Sequence, residues 1–555
     1  MKKAIKKSAP RQIYVSPKQF PLDSFKSPFE QKLDPNNRWV VFAHLIPWDE
    51  ICNIYLREVG IGETGRPSLN PRLIIGSVII KHLGNLDDRE TVNQITENMY
   101  MQYFLGYSDF SSVAPFHASL FVDFRNRLGI NTINAINEKI AALKTHMETK
   151  VEETKTPADM NPPADPNPPV DMNTPADPNP SSELNPPVDQ NSNPPEPEHK
   201  GRVIFDATAC PQDIAYPTDL NLLSDARKKS EELIDQLYDP ELHPKKPRTY
   251  RKIARKLYLK TAQKKNKSRK EIRKAVGAQL RFLNRNLHSI DSLLNAYPEI
   301  PLKPKEYKYL LVIHTLYGQQ VQMYDTQTHR IEDRIVSIHQ PHVRPIVRGK
   351  SQANVEFGAK IHLSLIDGIC FLDELSWDAF NEGSHMMDYV EKYHQRFGFY
   401  PRELLADKIY CTRDNRAALK KKGINLLAKP LGRPSAVQIH VSPGERNPIE
   451  GKFGQAKTAY GLNRIRARLN NTSKSWIASI ILVLNLVKLA GVALPCNIRN
   501  RVVTFSARLM AGFIAGGSAR TKPISVSRFT EDYHRQIIFR PQISKSTRLM
   551  TELAA

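Results

Sequence analysis

A proline-rich, acidic repeat divides this chain into two parts. From Pro157 it reads PADMNP, PADPNP, PVDMNT, PADPNP, SSELNP and PVDQNS, a six-residue register held through six units. Residues 151–200 contain 14 of the 41 prolines and ten Asp or Glu against two Lys. Proline removes backbone donors, and so polar a repeat has too little apolar surface to offset the entropy of ordering it. The segment is therefore expected to be a disordered, extended linker, and the 555 residues must fold on either side of it. Its net charge is −8 in a chain of +23, which leaves about +31 on the other 505 residues. An excess of that size concerns partners rather than fold, and nucleic acid is the first polyanion to consider.

Before the repeat, residues 38–146 show apolar positions at helical spacing, notably PRLIIGSVIIKHLGNL and VNQITENMYMQYFLGY. Asn70-Pro71 reads as an N-cap with Pro at the first helical position, and the acidic run at Asp87 as another helix start. A further helix is expected near His117 to Leu128. Residues 1–150 are thus a helical N-terminal domain, for DNA binding through a helix-turn-helix or for dimerisation.

After the repeat the apolar runs shorten to strand length: RVIFDATAC (202–210), FGAKIHLSLI (357–366), ELLADKIY (403–410) and INLLAKP (424–430). Helical segments alternate with them, and Asp414 and Asn415 can cap RAALKKKGI. Residues 201–495 are expected to form an α/β domain, with 496–555 as a C-terminal tail. A basic helical insertion spans 221–300; within it, residues 245–285 carry 17 Lys or Arg and the single acid Glu271. Either this is a solvated face, or Arg251, Lys252, Arg255 and Lys256 contact phosphates.

The apolar stretch Trp476–Ala490 is shorter than the roughly 20 residues that span a bilayer and carries Asn485 and Lys488, so it reads as a buried helix. No membrane association is expected. The five cysteines are scattered without zinc-ligand spacing, and the basic start is not followed by an apolar run. A cytoplasmic location follows.

Asp206 follows Val203-Ile204-Phe205 and Asp407 follows Leu404-Leu405-Ala406, so each carboxylate sits where a buried strand emerges, the ligand-binding end of an α/β sheet. Such an Asp is ordinarily a turn former or helix cap; Asp367 and Asp414 are read that way. In RNPIEGKFGQAKTAYG, Asn447-Pro448 looks like a helix start. Ile449, Phe453, Ala456 and Tyr460 make an apolar face, while Glu450 and Lys457, seven apart, point the same way. With Arg446 beside it, Glu450 is either an acid flanked by cations at a site for metal and phosphate, or part of a surface ion pair.

These stretches resemble the DDE transposases of bacterial insertion sequences, specifically insertion-sequence family 5. The resemblance covers most of the chain and is carried by RWVVFAHLIPWDEI, GRPSLNPRLIIGSVIIKHLGNLDDRETVNQITEN, IFDATACPQDIAYPTD, RPIVRGKSQANVEFGAKIHLS, LSWDAFNEG, LLADKIYCTRDNRAALKKKGI and RNPIEGKFGQAK. It implies an RNase H-like catalytic fold with a triad at Asp206, Asp407 and Glu450. The family signature is Tyr, two residues, Arg, three residues, Glu, six residues, Lys; Arg446, Glu450 and Lys457 satisfy it, and Pro443 replaces the Tyr. Tyr410 and Tyr460 are candidate DNA contacts in its place. Three carboxylates without His or Cys suit Mg²⁺, with Mn²⁺ as substitute. The implied partners are double-stranded DNA, as terminal inverted repeats and as target, in a bacterial, nucleoid-associated setting, with a homodimer or higher assembly on DNA. Two alternatives stay open: a catalytically silent, transposase-derived DNA-binding or regulatory protein, and a metal-dependent nuclease.

Overall fold

The structure, a computed structural model, describes residues 32–59, 69–153, 199–347, 355–428 and 443–493, all within the unit Met1–Ala493. The hexapeptide repeat and the proposed tail lie outside the described residues. Among the described residues, seven helices precede the repeat. α1 (Arg38–Leu45) starts at Asn37, whose side chain accepts from the Trp39 N–H, and α2 (Trp48–Val59) follows. α3 (Pro71–Leu83) starts as expected, with Asn70 Oδ1 accepting from the Arg72 N–H at 2.9 Å and Pro71 needing no donor. α4 (Asp88–Glu97) is capped by Asp87, which accepts from the Arg89 and Glu90 N–H groups. Then come α5 (Met99–Phe104), α6 (Leu120–Arg127) and α7 (Ile130–Glu153). α3 is buried on every side up to His82. Gly76 allows this: a Cβ there would lie 2.5 Å from Leu105 Cδ2.

β1 (Arg202–Pro211) opens the sheet. The insertion follows as α8 (Asp219–Leu237), α9 (Arg251–Ala262), α10 (Arg269–Leu294) and α11 (Pro304–Asp325). It is longer than the expected 221–300, because α11 is needed to close a separate apolar core with α8 and α10 through residues such as Leu233, Leu283 and Ile313. The one acid in the basic run, Glu271, is structural: it completes a capping box with Ser268 at the start of α10.

The sheet then continues with β2 (Arg344–Val347), β3 (Val355–Ile366) and β4 (Ile369–Ser376), followed by α12 (Met386–Phe397), β5 (Glu403–Leu405), α13 (Arg413–Lys421), β6 (Asn425–Leu427), α14 (Asn447–Ala459) and α15 (Asn470–Ala493). Strand order is β2-β3-β1-β5-β6, with β4 also on β3. β3 is antiparallel to β1, β2 and β4, whereas β5 and β6 run parallel to β1. The expected strand 403–410 ends at Leu405, because Asp407 caps a 3₁₀ turn over Lys408–Tyr410. The cap of α13 is Thr412, not Asp414 or Asn415; Asp414 lies in its first turn.

α15 is long and apolar enough to cross a membrane by length and composition. Its buried face, including Trp476, Ile480 and Leu484, instead packs on α1, α3, α6, α7 and β4. Asn485 explains its place in that apolar run: its Nδ2 donates to Asn137 Oδ1 and to the Cys370 carbonyl, each at 2.7 Å, and its Oδ1 accepts from the Cys370 N–H at 2.8 Å. One buried network thus joins α7, from before the repeat, to β4 and α15 after it.

Candidate active site

Two strands of unequal length set the site. In the parallel pairing of β1 and β5, Ile204 lies opposite Leu405, which brings Asp206 and Asp407 to the same level, two residues further on. β5 has ended there, while β1 runs on to Pro211. Asp206 is therefore within its strand rather than at its end, held on the other side by β3 opposite Leu363. Asp407 accepts from the Lys408 N–H at 2.7 Å.

Glu450 comes from the first turn of α14, which packs down through Ile449, Phe453 and Ala456. Asn447 is the first helical residue; Arg446 is the N-cap and makes no side-chain capping bond. Its guanidinium reaches across the site instead, Nη2 lying 3.5 Å from Asp206 Oδ2 and Nη1 3.2 Å from Asp407 Oδ1. Asp206, Asp407, Glu450, Arg446 and Lys457 all line one cleft of about 620 Å³. A second cavity, about 320 Å³ beside Asp213, Tyr216 and Arg468, contains none of them.

Burial raises the Asp206 pKa to about 6, and the charges of Asp407 and Glu450 push the same way, against the Ala207 N–H and Arg446. A desolvated carboxylate beside two further acids is a place where a cation is stabilised, and Arg446 supplies one here. The donor set, oxygen only, fits a hard divalent ion in chemistry and sign of charge. The spacing is not that of a ligand cluster: among the described residues no three His, Cys, Asp or Glu are grouped to hold a metal. Here Arg446 bridges the two aspartates.

Comparison with known proteins bears on this site. A family model described as Transposase domain (DUF772) matches residues 27–127, and one described as Transposase DDE domain matches residues 404–487, the stretch containing Asp407, Arg446, Glu450 and Lys457. Both stretches are thus similar to transposase domains. The chain is also similar to "Uncharacterized protein ORF8 in nfe locus" from Rhizobium meliloti, with 34% identity over 110 residues, 19% of this chain and 51% of that protein. The chain thus spans about half the length of that relative. No solved structure matches.

Of the other expected site residues, Lys252, Arg255 and Lys256 are exposed on α9, with no acidic partner among the described residues. Arg251 differs, donating from Nη2 to both Asp235 oxygens at 3.0 Å. Tyr410 and Tyr460 are not available as DNA contacts: they are 0% and 8% exposed, because the turn after Asp407 and the end of α14 both pack into the core. Lys360 and Glu382 also line the cleft, although no local pattern in the sequence singles them out. Both lie in stretches that carried the family resemblance, VEFGAKIHLS and LSWDAFNEG.

Proposed function

We propose that this chain, a transposase of the insertion-sequence family 5 group, cuts DNA at the ends of its element and joins the freed 3′ ends to target DNA, using Asp206, Asp407 and Glu450 as ligands for Mg²⁺ or, in its place, Mn²⁺. The observation that carries this reading is the register of β1 and β5, which levels Asp206 with Asp407 in a cleft that Glu450 and the cations Arg446 and Lys457 also line. The strand order supports an RNase H-like core: without the short β2, three antiparallel strands are followed by two parallel to the first.

Asp206, Asp407 and Glu450 would hold the divalent ions, which would supply activation of the attacking oxygen and stabilisation of the leaving oxygen in an in-line displacement. The chain's residues supply the rest. The carboxylates act as ligands and need remove no proton. Arg446 neutralises Asp206 and Asp407 and is within reach of a phosphate entering between them; Lys457, two turns along α14, holds the strand beyond. Water as nucleophile gives hydrolysis and a 3′-hydroxyl gives joining, so one site serves both steps. Lys252, Arg255 and Lys256, with Arg251 once it leaves Asp235, grip the backbone outside the cleft. Residues 1–150 read the element ends, in a dimer or higher assembly; residues 201–495 carry the chemistry.

A strand-transfer assay tests the proposal. Full-length protein, Mg²⁺ and a labelled duplex carrying the inverted repeat that borders the gene are incubated with plasmid. Joined products are expected. Hydrolysis without joining makes the protein a nuclease, and binding without either makes it a silent DNA-binding protein.

A further inference from the structure

Two sequence stretches with no part in the triad meet in the cleft wall. Lys360 of β3 ion-pairs with Glu382, in the loop after β4; its Nζ also donates to the Phe380 carbonyl at 2.7 Å and lies 4.8 Å from the Phe380 ring centre. Both side chains are mostly buried, at 17% and 13% exposure, yet both line the same cleft as the three acids. An ammonium has three donors. Two are used here, and the described residues provide no third acceptor.

The loop is tied to the site. Asn415 Nδ2 donates to the Gly383 carbonyl at 2.7 Å and to the Tyr410 carbonyl at 2.8 Å, clamping the loop to the turn that begins at Asp407. Gly383 fits tightly enough that a Cβ would lie 2.3 Å from the Ile409 carbonyl oxygen. Lys360 itself sits opposite Ala209 on β1, the strand of Asp206. It is therefore fixed between the strand of one proposed ligand and the turn of the other, in the lining of the cleft, with two acceptors for its three donors. If the pair served only to staple β3 to the loop, it would have no need to face the cleft.

We propose that Lys360 is a third phosphate-binding cation of the cleft, beside Arg446 and Lys457, held in place by Glu382 and contacting the DNA backbone next to the bond that is cut. This rests on the cleft being the DNA site. A lysine aimed by a carboxylate positions a phosphate without reading sequence.

The test is the salt dependence of binding to a labelled random-sequence duplex, with thermal melting as the folding control. The double variant Lys360→Met with Glu382→Gln removes both members of the pair and leaves no buried charge alone. Each phosphate that is no longer neutralised lowers the slope of log K against log salt by about 0.9. We expect that decrease in the double variant, a normal slope in Lys360→Arg, and severalfold tighter binding at low salt in Glu382→Gln, where the lysine is freed of its competing carboxylate. A double variant with the wild-type slope overturns the inference, provided Lys457→Met shows a reduced slope. If Lys457→Met keeps the wild-type slope too, the cleft itself is not the DNA site. Should the double variant not fold, unchanged affinity in Glu382→Gln overturns the inference by itself.

Discussion

At the scale of single residues, the site is built at the expense of stability. Asp206 is held where its ionised form is disfavoured: its pKa stands at about 6 against an ordinary 3.8, chiefly through burial. An acid with a raised folded pKa carries no penalty below its unfolded pKa. The penalty grows as pH rises from the unfolded to the folded value and is constant above it. In metal-free protein Asp206→Asn should therefore be more stable than wild type at pH 8, by about 1–3 kcal/mol, and should lose that advantage below about pH 4. Denaturant melts in EDTA at the two pH values check this. A variant less stable at pH 8 would mean that Asp206 is kept for structure rather than chemistry.

Among the elements, the contact of α3, α4 and α6 with α15 is electrostatic at its centre. Lys81 Nζ and Arg125 Nη1 lie 2.8 and 2.9 Å from Asp88 Oδ1, and the Lys81 ammonium is 4.7 Å from the Trp476 ring centre. Burial pushes the Asp88 carboxyl up, but Arg125 and Lys81 together outweigh it and hold the pKa below the usual value. Its stabilisation is present above the unfolded pKa and lost as pH falls through the folded one. Asp88→Asn leaves two buried cations unpaired and should cost about 2–4 kcal/mol at neutral pH. Wild type should lose that margin in acid, so the two melts converge toward pH 2. Parallel curves would show that the pair contributes nothing. Much at this scale was legible in sequence: Asn70 and Asp87 as caps, the apolar face of α14, the burial of Trp476–Ala490. These are local signals, each set within a turn or two of helix. What was missed depends on partners distant in sequence. β4 was invisible as a strand although Asp367-Gly368, with φ of 48° and 82°, is the tight turn of its hairpin with β3. The three-residue β5 exists only because β1 and β6 pair with it. Arg446 was read beside Glu450, yet only the fold shows it bridging Asp206 and Asp407.

For the whole molecule, the parts on either side of the repeat share one core through α15, while α8 to α11 form a second core of their own. That inserted body presents the basic face of α9. Replacing Lys252, Arg255 and Lys256 together by Ala should weaken binding equally for end and random duplexes, with the salt slope falling by about 0.9 for each phosphate these side chains no longer neutralise. Full affinity with an unchanged slope would make α9 a solvated face. The central claim, that the cleft of Asp206, Asp407 and Glu450 performs the chemistry, is tested most directly at Asp407, where Asn keeps the size but removes the charge. Mg²⁺-dependent nicking of a labelled element end should fall about a thousandfold in Asp407→Asn, equivalent to about 4 kcal/mol, while a gel shift shows the duplex still bound. Wild-type nicking by that variant would contradict the account.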